Sequence, residues 1–105
     1  MSRLKLSFIV QYPKGERQVD LVGQFARTMR ELVCAGSDGI TSGEVSNQGW
    51  GYRLGHYVHI LRKKYDVEIE TLREEHNGEA GKGWHGRYNL LTKARLLKQD
   101  ETLDE

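Results

Sequence analysis

Between Gly39 and Leu91 the chain reads GITSGEVSNQGWGYRLGHYVHILRKKYDVEIETLREEHNGEAGKGWHGRYNLL. Local signals divide it into five parts. Thr41 or Ser42 can accept a hydrogen bond from the free N–H groups of a helix start, and Glu44 then sits in the first turn against the positive end of the helix dipole. A short helix is expected over residues 42–48. Gly49-Trp50-Gly51 reads as a turn. From Tyr52 to Lys64 a longer helix is expected, because Leu54, Val58, Leu61 and Tyr65 recur at the spacing of one helical face. Its other side carries Tyr52, Arg53, His56, His59 and Lys63, and the whole segment holds Arg53, Arg62, Lys63 and Lys64 with no acidic residue. Asp66 ends it. Val67, Ile69 and Thr71 then alternate with Glu68, Glu70 and Leu72, which predicts a strand to Glu74. A second strand is expected from Arg87 to Leu91, with Tyr88 and Leu90 on one face. The intervening stretch from His76 to Gly86 contains Gly78, Gly81, Gly83 and Gly86 and reads as a mobile tip.

Upstream, Leu4, Leu6, Phe8, Val10 and Tyr12 occupy alternate positions, which is a strand with one buried face. Pro13-Lys14-Gly15-Glu16 is a turn, and Arg17 to Leu21 alternates again, so residues 4–21 predict a β-hairpin. A helix follows over residues 22–35. Val22, Phe25, Ala26, Met29, Leu32 and Val33 form its apolar face, and Gln24, Arg27, Thr28 and Glu31 lie opposite. Gly36 suits its C-terminal cap. The helix could instead begin at Arg17, but the first strand would then lack an adjacent partner. Downstream, Leu96 and Leu97 could add a helical turn to the body. Residues 1–95 are expected to form the domain and 96–105 an acidic, unstructured tail. The predicted fold is α+β: an N-terminal β-hairpin, three helices and a C-terminal β-wing over residues 67–91. This is the order of a winged helix-turn-helix.

A chain of 105 residues holds one domain with a modest core. Charged residues make up 30% and hydrophobic residues 37%, the balance of a small domain with a solvated surface. The net charge of +1 hides an internal asymmetry, because the cations of the third helix are offset by Asp100, Glu101, Asp104 and Glu105. One cysteine permits no internal disulfide, which fits a reducing compartment. Cys34 reads as a half-buried filler rather than a reactive thiol. No apolar run approaches the roughly 20 residues that span a bilayer, and the alternating N-terminus is unlike the continuous apolar core of a signal peptide. A cytoplasmic location without membrane contact is expected.

The third helix and the wing predict DNA binding. Arg53 can fork onto a guanine edge and Gln48 can pair with adenine, with Tyr52 and His56 the next candidates for base contact. His59 and Lys63, and Lys82, His85 and Arg87 on the wing, would meet phosphate or a neighbouring groove. The competing reading is an ordinary solvated basic face. Glu68, Glu70, Glu74 and Glu75 oppose DNA binding, and Glu68 and Glu70 are expected to turn away from it. Four histidines without nearby cysteine make no zinc pattern, and no H-E-x-x-H is present, so neither a metal nor another cofactor is expected. Gly81-Lys82-Gly83-Trp84-His85-Gly86 matches G-x-G-x-x-G literally. A strand follows it where the dinucleotide fingerprint requires a helix. No catalytic elbow or tuned carboxylate pair is visible, so the chain reads as non-enzymatic. Trp50 suits packing in the turn. Trp84 either folds under the wing or meets a ligand.

Gly39-Ile40-Thr41-Ser42-Gly43-Glu44, Tyr57 to Lys63, Ile69-Glu70-Thr71 and His85 to Leu90 together resemble small bacterial winged-helix proteins found in phage and prophage settings. The resemblance covers about residues 20 to 92. Its motifs mark the helix cap, the core of the third helix and the two wing strands, and so imply the fold more directly than a ligand. It implies double-stranded DNA as partner and a transcriptional or phage-related regulator. A protein-interaction module on the same scaffold is the alternative. A homodimer would suit paired half-sites, with the hairpin's exposed edge as its natural interface.

Overall fold

The computed structural model describes residues 4–46, 53–78 and 81–100. The elements run β1 (Lys5–Tyr12), β2 (Gly15–Val22), α1 (Gln24–Ala35), a 3-10 turn (Gly36–Asp38), β3 (Ile40–Thr41), α2 (Ser42–Ser46), α3 (Leu54–Tyr65), β4 (Ile69–Gly78), β5 (Gly81–Leu90) and β6 (Ala94–Asp100). Two antiparallel sheets form, ordered β2-β1-β6 and β3-β5-β4.

The alternation of the N-terminal segment becomes the β1–β2 hairpin, with Phe8 opposite Val19 and Tyr12 opposite Gly15. Leu6, Phe8 and Val10 are fully buried. Val22 still pairs with Lys5, and Gly23 at φ 68° breaks the strand, so α1 begins two residues later than its apolar spacing suggests. This settles the N-terminal ambiguity in favour of the hairpin.

Residues 96–100 correct the expectation of an unstructured tail. They belong to β6, which pairs along the free side of β1 with Val10 opposite Ala94 and Phe8 opposite Leu96. The register shifts between Ser7 and Phe8, which leaves Leu97 as the extra residue of a bulge. Burial alternates from Ala94 to Leu97, but the apolar Leu97 stands at an exposed position and hides that period in the sequence. Ala94 and Leu96 pack against the core, and Leu97 is exposed. Residues 101–105 lie outside the described residues.

Helix α1 sits at the centre, touching α3 and strands β2, β3, β5 and β6. Ala26, Met29 and Leu32 are fully buried, as the stripe predicts, whereas Phe25 and Val33 are only partly so. Thr28 is a correction. Placed with the polar residues by its chemistry, it is fully buried. Neighbours on several sides cover a wider arc of α1 than one apolar stripe. Leu54, Val58 and Leu61 of α3 join the same core, with Val45 of α2 and Ile40, Val67 and Ile69 from the wing side. Phe25 meets Tyr57 edge-on at 5.4 Å between ring centroids, joining α1 to α3. Cys34, expected to be half-buried, is exposed near the end of α1.

The second sheet is longer than the alternation suggests. β4 and β5 pair from Ile69 opposite Leu90 out to Gly78 opposite Gly81. Most of the stretch expected to be a mobile tip is therefore strand. Backbone pairing does not depend on side-chain alternation, so a ladder registered at its root continues through glycine. Among the described residues, no helix is long and apolar enough to cross a membrane.

Candidate nucleic-acid interface

Helix α3 separates two chemistries. Leu54, Val58 and Leu61 are buried, while Arg53, His56, His59, Lys63 and Lys64 are exposed. A residue every third or fourth position turns one side inward and leaves the other to water. The last turn carries Arg62, Lys63 and Lys64, and cations are favoured at the negative end of the helix dipole. Asp66 ends the helix in the left-handed conformation (φ 56°, ψ 33°), and the Val67 N–H turns back to the Leu61 carbonyl at 3.3 Å. The Tyr12 hydroxyl donates to the Tyr65 carbonyl at 2.5 Å, tying the hairpin turn to the end of α3. Burial raises the Tyr12 hydroxyl above the usual phenol range, partly opposed by nearby Arg17.

Among the described residues, no carboxylate forms an ion pair with Arg53, His56, His59 or Lys63. Gln48, Trp50 and Tyr52 lie outside the described residues. Lys82 and Trp84 are described only in their backbone, which pairs with Asn77 and Glu75.

The cap of α2 resolves to Thr41. Its hydroxyl oxygen accepts the Glu44 N–H at 3.1 Å, and the Glu44 carboxylate accepts the Thr41 N–H at 3.1 Å. This reciprocal pair is a capping box. Ser42 is instead the first helical residue.

His85 and Arg87, expected to reach a nucleic acid from the wing, have partners within the protein. The Arg87 guanidinium donates through Nε to Glu74 at 2.6 Å, through Nη2 to Glu44 at 3.0 Å and through Nη1 to the Asp38 carbonyl at 3.0 Å. His85 Nε2 lies 2.8 Å from the other Glu74 carboxylate oxygen. The cause is register. Glu74 pairs with His85 and Leu72 with Arg87, so these side chains share one face of the wing. Hydrogen bonds from Arg87 and then His85 hold the Glu74 carboxyl below its usual range. Glu74 and Glu44 in turn hold the Arg87 guanidinium firmly charged. Glu68 and Glu70 are both exposed.

Arg62, one of the basic residues of the third helix, has a role that its chemistry alone does not announce. Its Nε and Nη2 donate to the Ile69 carbonyl at 2.9 and 2.5 Å, and Nη2 also reaches the Thr71 hydroxyl at 2.7 Å. The one sequence signal is position. Arg62 stands in the last helical turn seven residues before the wing strand opens. Asn89 has another such role: its amide donates to the Ser37 carbonyl at 2.7 Å. Among the described residues, no group of three or more His, Cys, Asp or Glu could hold a metal ion.

A family model described as "Winged helix domain" matches residues 18–100. The chain belongs to that family. In winged-helix terms, α2 and α3 are the helix-turn-helix, β4 and β5 are the wing, and the matched span runs to the end of β6. The chain matches no curated protein and no solved structure at a significant level. The family suggests a DNA-binding fold and does not by itself assign a target.

Proposed function

We propose that this chain binds double-stranded DNA as a transcriptional or phage-related regulator, with α3 in the major groove and the wing along the flanking backbone. The observation that carries the reading is the solvent-facing side of α3. Arg53, His56, His59 and Lys63 stand together there, without a carboxylate partner among the described residues. Arg53, at the N-terminal end, is the base reader, with Gln48, Tyr52 and His56 the further candidates for base contact. His59 and Lys63 lie further along the same face and contact phosphate. Lys82 is the wing cation assigned to the backbone. His85 and Arg87 support the site by holding the wing.

The test is binding to a labelled pool of duplex DNA, with affinity followed from about 50 to 200 mM salt. Phosphate contacts release counterions, so affinity should fall steeply over that range. Arg53→Ala should flatten the base preference at one position, a loss of about 1–3 kcal/mol of discrimination. Lys63→Ala should weaken all sequences alike and reduce the salt slope by about one unit. Identical sequence profiles for wild type and Arg53→Ala would remove Arg53 as a reader. Absence of binding at low salt would remove DNA as the ligand.

Two observations favour a second reading, a protein-interaction module on the same scaffold. The net charge is only +1, and Glu74 partners both His85 and Arg87 on the wing. The low-salt DNA experiment separates the two readings.

A further inference from the structure

The four cations of the third helix and its flank are not equivalent. Arg53, Lys63 and Lys64 are exposed, but Arg62 is only partly so and turns toward the wing. Its guanidinium spans two successive same-side positions of β4, the Ile69 carbonyl and the Thr71 hydroxyl. Ile69 is anchored in the core at 6% exposure, and β4 lies at one edge of its sheet. The fork therefore joins α3 to the base of the wing at a point that cannot easily shift. A lysine keeps the charge, but its single ammonium lacks the planar arrangement that serves both acceptors from one side. Arg87 makes the matching connection through the other face of the wing, joining β4 and β5 to the capping box of α2 through Glu74 and Glu44.

We propose that Arg62 is a positioning residue: it fixes the wing relative to α3 so that both meet one duplex, and it does not itself contact nucleic acid. The functional half rests on the DNA-binding reading, whereas the clamp itself can be measured in the free protein. A wing held in place loses little freedom on binding, and a released wing must be ordered at that moment, which weakens affinity without changing the number of phosphates met.

The test uses the full chain with Arg62→Lys and Arg62→Gln, each checked for a native circular dichroism spectrum, and Lys63→Ala as the phosphate-contact control. Amide hydrogen exchange is followed in the free protein, and duplex affinity is measured across salt. With the fork lost, amides of β4 and β5 should exchange about tenfold faster while those of α1 keep their protection. Affinity should fall about three- to tenfold in both variants, with the salt slope of the wild type retained. A slope reduced by about one unit in Arg62→Gln, with wing exchange unchanged, would make Arg62 a phosphate contact and overturn the proposal. Wild-type exchange and wild-type affinity in both variants would overturn it as well. If the wild type binds no duplex, the DNA reading fails separately, and the exchange result alone upholds or rejects the clamp.

Discussion

Gly39 shows how one residue can be constrained from a distance. It sits between the 3-10 turn and β3 with φ 67° and ψ −176°, a region open essentially to glycine alone. A Cβ there would overlap the Asn89 side-chain oxygen and stand 2.6 Å from the Tyr88 carbonyl. Gly39→Ala should therefore cost about 2 kcal/mol or more, combining backbone strain with displacement of β5. Urea unfolding checks this, and an unchanged midpoint would show that the loop relaxes freely. Asp66 also has positive φ, but its left-handed conformation is one that aspartate tolerates. The sequence identifies Asp66 as a helix end. It does not reveal that Asn89 and Tyr88 close over Gly39, because that approach exists only once β3 and β5 have paired.

At the scale of elements, α2 is a very short helix whose start is secured from outside. Thr41 and Glu44 cap each other within the segment, a pattern visible in the sequence. Arg87 then grips Glu44 and Glu74 together, which no local pattern announces. Glu74 makes this junction sensitive to acid. Its folded pKa is lowered, so its contribution is fully present above the ordinary glutamate value of 4.5 and is lost as the pH falls through the lower folded value. Glu74→Gln should therefore show a smaller drop in denaturation midpoint than the wild type between pH 6 and pH 3. Equal drops would mean that Glu74 titrates alike in the folded and unfolded chain. Glu74 is well solvated, so the difference should be small and shrink further in molar salt. Strand β6 lies at the other extreme of legibility. Leu96 and Leu97 are adjacent apolar residues, so their chemistry does not say which faces inward, and the pairing with β1 decides that Leu96 packs on the core and Leu97 faces out.

Across the whole molecule, β6 and the cationic face of α3 separate what is structural from what is free to act. β6 covers one side of β1, so a chain ending at Lys93 would expose backbone groups of β1 and the flank of Phe8 and Val10. Such a truncation should abolish the cooperative thermal transition, whereas a sharp native-like melt would mean that the β1–β2 hairpin and helices suffice. Charge is distributed on the same principle. Arg62 and Arg87 hold the wing, and Arg53, His56, His59 and Lys63 remain exposed on α3. The sequence by itself determined the order from the hairpin through three helices to the two wing strands, the buried stripe of α3 and the basic character of its other side, because hydrophobic period, capping and turn chemistry act within a few residues. Only the tertiary structure decided that the C-terminal segment joins the first sheet, that Thr28 is buried, and which arginines are spent on the fold. Those outcomes depend on strand register and on donors meeting acceptors far away along the chain, and a linear pattern does not encode either distance or direction.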